Sequence, residues 1–574
     1  MAIDRIFHLH RPRRFVAVPA AAVILCIGAA TTGSGHFPQC EGGATTSRLD
    51  CNSNGTEDDQ DLADWGSAFD DASAWLAYDP GANGVGYDPD GFFGAVFDGR
   101  YIYFVPYRAQ YPYFTGEAMR YDTQGDYTDP ASWATFDPGA HGIGQNPDGY
   151  AGGVFDGRYV YFVPWATANT NYHGEVMRYD TAGEFTDVAA WTAYDPGSHG
   201  VGIAPDGYRG AVFDGRFVYF VPVYNNTFGF HGEFLRLDSQ GEFTDVSAWT
   251  AYDPGSHGVG FDPDGYSGGA FDGRYIYFAP YHSGINYHGE VIRFDTNGDF
   301  TSTDSWVTFD PGTNGVGNDP DGYLGALYDG RFVYFVPFSN GTTYHGEVLR
   351  YDTAGDFFDT QSWATFDAVA EGVGLEPAGY CWCIYDGRFI TFVPMANSGG
   401  NHNEVLRYDS AGDFEDASSW MTYVPSDYPL GYRGGAFDGR FAYLVPGGTY
   451  VNHGNVLRYD VAAVGSPDCN NNGIPDECDL DDGVSEDCNG NGIPDECDIA
   501  HAFSWDENDN GIPDECEDPC PTDINNDDLV NIDDIFAVLA AWGPCEDCPE
   551  DLNDDGMVDI DDLFVVLAQW GPCP

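Results

Sequence analysis

Six stretches of this chain place oxygen-bearing side chains at positions 1, 3, 5, 9 and 12 of a 12-residue loop. Two lie near the C-terminus: Asp523, Asn525, Asp527, Asn531 and Asp534, then Asp551, Asn553, Asp555, Asp559 and Asp562. The carbonyls of Leu529 and Met557 stand at position 7 of these two loops. Three more precede them: Asp468, Asn470, Asn472, Asp476, Asp479; Asp487, Asn489, Asn491, Asp495, Asp498; and Asp506, Asn508, Asn510, Asp514, Glu517. A sixth stands far upstream, with Asp50, Asn52, Asn54, Asp58 and Asp61. Calcium takes about six to eight oxygens at roughly 2.4 Å, and a loop with this spacing supplies them. One such loop alone reads as an acidic turn. Six in the same register predict bound Ca2+.

The two C-terminal loops each run into an apolar helix, expected over Ile535–Trp542 and Leu563–Trp570. Cys520 and Cys545, and again Cys548 and Cys573, are 25 residues apart, which predicts a disulfide clasp for each repeat. This duplicated loop-helix module, residues 519–574, resembles the type I dockerin. The resemblance implies an α-helical, EF-hand-like fold and calcium-dependent docking to a cohesin-like or cell-surface protein, commonly in polysaccharide-degrading assemblies. The chain departs from the pattern at position 12, which is Asp, and at Asp528, where Gly is usual. It departs too at Ile532-Asp533 and Ile560-Asp561, where cohesin-binding dockerins often carry small hydroxyl residues. The loops of residues 464–518 (DCNNNGIPDECD and its copies) resemble thrombospondin type-3 repeats. That resemblance implies a stalk in which the ion replaces an apolar core and neighbouring Cys bridge the turns. With a fourth copy in residues 31–71, the region between becomes an insertion into one calcium-bound stalk.

That region, residues 72–463, must position whatever the chain recognises. It consists of seven copies of one block, each with a hairpin such as GAVFDGRYIYFVP, a strand such as GEVMRYD and a strand such as WATFD. The turn Asp recurs at Asp98, Asp156, Asp214, Asp272, Asp329, Asp386 and Asp438. Period-2 alternation between Asp-Gly turns marks strands. The series opens with a lone Trp strand, Trp75 to Asp79, and closes with a lone Gly454 to Asp460. Pairing these two completes the last block and removes the exposed edges. The fold class predicted is mainly β: a seven-bladed propeller, each Trp strand outermost, Gly-rich strands nearest the axis. It loosely resembles kelch-type propellers, although FVP stands where those have Gly-Gly. Antiparallel pairing places irregular loops such as Tyr107 to Thr115 and Trp165 to His173 on one face with the DPDGY connections. Variable loops on a rigid repeat are where binding usually sits. His173, His231, His288 and His345, with Glu175, Glu233, Glu290 and Glu347, recur in every such blade and read as loop caps and amide acceptors. Blade six breaks the pattern with Asp367 to Glu371, Glu376 to Tyr380 and Cys381-Trp382-Cys383, read as inner-strand packing or an odd thiol.

Against 92 acidic residues stand 22 basic ones, all Arg, for a net charge of −70. This excludes a nucleic-acid partner, which needs clustered basic residues, and Lys Schiff-base chemistry. Two Arg per blade, Arg100 and Arg120 in the first, are expected to pair with blade Asp residues. Arg11, Arg13 and Arg14 before the apolar run Phe15 to Ala30 mark residues 1–30 as a signal peptide and the protein as secreted, extracellular or surface-associated. Leu25 before Cys26 argues against lipidation. Thirteen Cys then remain, so one thiol should be free or pair between chains. No catalytic motif stands out. The chain reads as a secreted calcium-binding protein whose propeller binds an extracellular ligand, glycan or protein. The alternative is a glycoside hydrolase or lyase, which would need a carboxylate pair unique to one or two blades.

Overall fold

A computed structural model describes most of residues 51–500 and segments of 504–572. Residues 1–50 and short stretches, among them 53–55, 109–112, 448–451, 507–510, 525–528 and 545–551, lie outside the described residues. Seven four-stranded antiparallel sheets form the propeller. In blade 1 the strands run Phe92–Phe97, Tyr101–Pro106, Ala118–Asp122 and Trp133–Phe136, from axis to rim. Blade 7 takes Tyr432–Phe437, Phe441–Pro446 and Val456–Asp460 from the end of the series, and Trp75–Tyr78 from its beginning. Trp75 faces Tyr459 and Tyr78 faces Val456 in that closing pair. The ring therefore closes as the block order requires.

Each blade is fixed by polar contacts that recur in the same places. The rim Trp is buried and its indole N–H donates to the carbonyl six residues earlier, as from Trp133 to Tyr127 (3.0 Å) and Trp249 to Phe243 (2.8 Å). The turn Asp accepts two backbone amides and a tyrosine hydroxyl, as Asp214 does from Arg216, Phe217 and Tyr219. The first Arg of each blade ion-pairs across the hairpin, Arg100 to Asp122 at 2.9 Å being one of seven such pairs. The second Arg does not follow the expected pairing. Arg120 stacks between Tyr101 of its own blade (4.0 Å) and Phe185 of the next (4.8 Å), and Arg178, Arg236, Arg293 and Arg350 repeat this. A guanidinium between two rings holds neighbouring blades together by cation–π attraction, where an exposed ion pair adds little.

Around the axis the innermost strands approach so closely that a side chain cannot fit. A Cβ on Gly152 would lie 3.0 Å from the Gly210 Cα, and one on Gly210 would lie 2.9 Å from the Gly268 Cα. In blade 6 this position is Trp382, whose ring lies over Gly268 and Gly325 and lines the axial space. Cys381 and Cys383 flank it, both buried and free. Among the described residues these two thiols are unpaired and serve as core packing; burial pushes the Cys381 thiol up to about 12.

The residues on either side of the propeller in sequence form one ladder. Cys51 is bonded to Cys478, Cys469 to Cys497 and Cys488 to Cys516. Asn52 Nδ2 donates to Glu477 Oε1 (2.8 Å), and Asn470 Nδ2 donates to Glu496 Oε1 (3.1 Å), so the upstream loop stacks on the first downstream loop as that loop stacks on the next. Short helices, Asp58–Asp64, Asp476–Asp482 and Asp495–Ala500, begin at position 9 of these loops. The tail holds two helices, Ile532–Ala541 and Ile560–Ala568, packed on Val530, Val538, Val558 and Val566. They start three residues before the expected positions, because the buried Asp534 and Asp562 accept the amides of Asn531 and Asp559 and cap the first turn. The predicted Cys520–Cys545 and Cys548–Cys573 clasps and the leader segment lie outside the described residues.

Candidate functional site

The ladder covers one mouth of the propeller. Ile493 packs against the Gly439 turn of blade 7, and Ile499, Ser504 and Asp506 close an axial cavity of about 580 Å3 on the Asp-Gly-Arg side. The opposite face, with the irregular loops, carries a belt of paired aromatic rings. Tyr107 and Phe114 meet edge to face in blade 1, Trp165 and Tyr172 in blade 2, Tyr224 and Phe230 in blade 3, Tyr281 and Tyr287 in blade 4, Phe338 and Tyr344 in blade 5. Blades 6 and 7 have Met395 with Asn401 and Gly447 with Asn452 at these positions.

The repeated polar groups on this face are structural, as their recurrence suggests. His173 and His231 bond through Nε2 to the carbonyls of Asp148 and Asp206, at 3.0 Å each. Burial pushes both imidazoles down to about 4, which keeps them neutral. Glu233 accepts the amides of Ile203 and Ala204, and Glu347 those of Asn318 and Asp319. These groups fasten each connection to the loop beside it.

Asymmetry enters one residue after the aromatic that opens each innermost strand. Round the ring this position holds Phe93, Ala151, Arg209, Ser267, Leu324, Cys381 and Arg433. It carries no carboxylate, so the acid pair that a glycoside hydrolase needs is not built there. It carries two guanidinium groups instead. Arg209 lies 4.7 Å over Trp165, 5.4 Å over Tyr281 and 5.5 Å over Phe93. Arg433 lies 5.2 Å over Tyr107 and 5.6 Å over Phe93. Arg108, from the blade 1 loop, lies 5.4 Å over the same Tyr107 ring. Arg433 is only 6% exposed, and burial lowers its pKa, as do the charges of Arg108 and Arg209. Burial alone would raise the Tyr107 hydroxyl; Arg433, Arg108 and Arg209 outweigh it and hold that hydroxyl below its ordinary value.

No motif marks these residues, because each is a single substitution within one of the aligned repeats. Removing the fourteen blade Arg and the leader Arg from 22 leaves Arg48, Arg108, Arg209 and Arg433. Three of these four meet at one point.

The calcium-loop residues fall into two groups. Asn54, Asn491, Asn508, Asn510, Asp514, Glu517, Asp523, Asn525, Asp527, Asp551, Asn553, Asp555 and Asp50 lie outside the described residues. In the first downstream loop the structure brings Asp468, Asn470, Asn472 and Asp479 together. Asp479 is fully buried; its Oδ2 accepts from Asn470 Nδ2 (3.1 Å) and Asn472 Nδ2 (2.6 Å), while its Oδ1 has no hydrogen-bond partner. Burial, with Asp468, Glu477 and Asp479 nearby, pushes Asp476 up to about 7. A buried carboxylate oxygen left unpaired among other acids fits a cation, and a half-turn of either amide would present oxygen in place of nitrogen. Asp61 and Asp498, at the equivalent position 12, are buried likewise. On the tail, Ile532, Phe536 and Leu539 match Ile560, Phe564 and Leu567, each 44 to 59% exposed, as one apolar stripe per helix.

Compared with protein-family models and with curated proteins, the sequence matches none. Among solved structures it is similar to PorZ, an essential bacterial surface component of the type-IX secretion system of Porphyromonas gingivalis. The likeness covers 65% of this chain and 36% of PorZ, at 10% identity and a TM-score of 0.36, so the chain spans about a third of that protein's length.

Proposed function

We propose that this is a secreted, calcium-stabilised binding protein whose propeller recognises an extracellular carbohydrate on the variable-loop face. One observation carries the reading: the ladder covers one mouth, and the other bears an aromatic belt with a non-repeated cluster at its centre. The half-buried rings of this belt, among them Tyr172, Tyr224, Phe230 and Tyr281, suit the apolar faces of sugars, and polar groups among them fix orientation. The calcium loops, thrombospondin type-3-like in pattern, stiffen the ladder. The dockerin-like tail, with its matched apolar stripes, docks the chain to a cohesin-like or surface partner. Tyr107 favours a second reading, a polysaccharide lyase. A phenol held below its ordinary value beside three guanidinium groups resembles the base and carboxylate-neutralising groups that β-elimination requires. A glycan array probed with the full chain tests the first reading, and binding to no glycan would overturn it. Incubation with uronate polysaccharides, followed by the ultraviolet absorbance of the new C4–C5 double bond, tests the second.

A further inference from the structure

We infer that the Arg209–Arg433 cluster is an anion subsite and that the ligand is an acidic glycan, bound through a carboxylate or sulfate group. The inference rests on the carbohydrate reading above and narrows its chemistry. Its ground is an electrostatic imbalance. In a chain of net charge −70, with acids on nearly every loop, Arg209 and Arg433 have no carboxylate partner among the described residues. Residues 109–112 and 448–451, which flank the site in sequence, are Ala-Gln-Tyr-Pro and Gly-Thr-Tyr-Val and bring no acid. The Nε atoms of Arg209 and Arg433 are buried and without a hydrogen-bond partner. Every other described Arg of the propeller outside this cluster is either ion-paired or stacked between two rings. Here Arg209 and Arg433 both lie over the Phe93 ring, 5.5 and 5.6 Å away, and two like charges brought together in a buried setting are unfavourable unless an anion joins them. Arg presents planar paired donors, which match carboxylate and sulfate geometry, and the half-buried ring of Tyr281, 5.4 Å from Arg209, offers a seat for the sugar that carries the group.

The test uses the full secreted chain with its disulfides intact. Calorimetry would be run with oligogalacturonate, a sulfated galactan oligosaccharide, a neutral galactan oligosaccharide of equal length, a poly-glutamate peptide and inorganic sulfate alone. Wild type should bind one or both acidic glycans at least tenfold more tightly than the neutral one, and the better of the two identifies carboxylate or sulfate as the group. Arg209→Gln and Arg433→Gln should each weaken that binding tenfold or more, while melting temperatures show that the ring stays closed. Arg209→Lys, which keeps the charge and loses the paired donors, should fall between. Equal binding of neutral and acidic glycans would overturn the anion subsite and leave the carbohydrate reading standing. Preference for the peptide, or for sulfate alone, would overturn the glycan assignment. Acidic-glycan binding indifferent to both Gln variants would overturn the location, and no binding by any probe would remove both readings together.

Discussion

His231 shows how a repeated side chain on the variable-loop face acts on stability. Its folded pKa is pushed down to about 4 from 6.5 by burial, while its Nε2 stays bonded to the Asp206 carbonyl. The unfolded chain takes up a proton near pH 6.5 and the folded chain refuses it until about 4. Stability from this group is therefore complete above 6.5 and falls as pH drops through that window, by roughly 3 kcal/mol. Asp206 works in the opposite direction. Burial, with Asp195 and Glu233 nearby, raises it to about 6, so the folded form is protonated first and gains stability as pH falls. Replacing His231 with Gln, which keeps a donor for the carbonyl, removes only the first contribution. Urea midpoints measured from pH 7 to 4 should show the variant gaining roughly 3 kcal/mol on wild type across the range. Parallel curves would mean that the imidazole of His231 titrates in the fold as it does in the unfolded chain, and a variant losing ground as pH falls would mean that it is protonated in the fold.

At the scale of the strand, crowding at the axis separates two kinds of glycine. Gly210 has φ +77°, and its Cβ would strike the backbone of Gly268 in the next blade. Gly200 has φ +91° but opens onto empty space. Alanine at Gly200 meets only backbone strain, about 1–2 kcal/mol, whereas alanine at Gly210 adds overpacking between two blades that cannot part independently. Gly210→Ala should lose at least 3 kcal/mol, or fail to accumulate, while Gly200→Ala folds with a modestly lower melting temperature. Comparable losses in the two would show that the axis yields. This contrast also marks how far the sequence could be read. Counting hairpins against Trp strands was enough to close the ring through Trp75–Tyr78, because edge pairing is a property of the whole series. The close approach of Gly152, Gly210 and Gly268, the Trp382 ring over Gly268 and Gly325, and the stacked Arg residues depend on distances between blades, which no single repeat encodes. The Arg209–Arg433 cluster was hidden for the same reason: each member is one departure in one copy, and they meet only once the ring is closed.

For the whole molecule, ring closure and the disulfide-bonded ladder are one mechanical problem. The strand that completes blade 7 begins shortly after Cys51, and Cys51 is bonded to Cys478 across 427 residues. A cross-link over so long a segment removes roughly 3–5 kcal/mol of chain entropy from the unfolded state. The buried carboxylates of Asp61, Asp479 and Asp498 oppose that gain unless cations neutralise them, since nearby acids repel one another in a poorly hydrated setting. Two ties therefore bear on Trp75–Tyr78: the Cys51–Cys478 disulfide, and the loops stacked beside it, whose buried carboxylates a cation would neutralise. Loss of either leaves the other to keep the strand docked, so the losses should not simply add. A calcium chelator alone should expose residues 51–64 and 466–498 to protease and lower the melting temperature slightly. Reductant alone should act similarly. Together they should release the closing strand and lower the propeller's melting temperature by more than the two separate shifts combined. Strict additivity would show that the ring closes without help from the ladder, and protection unchanged by the chelator would show that the loops need no ion.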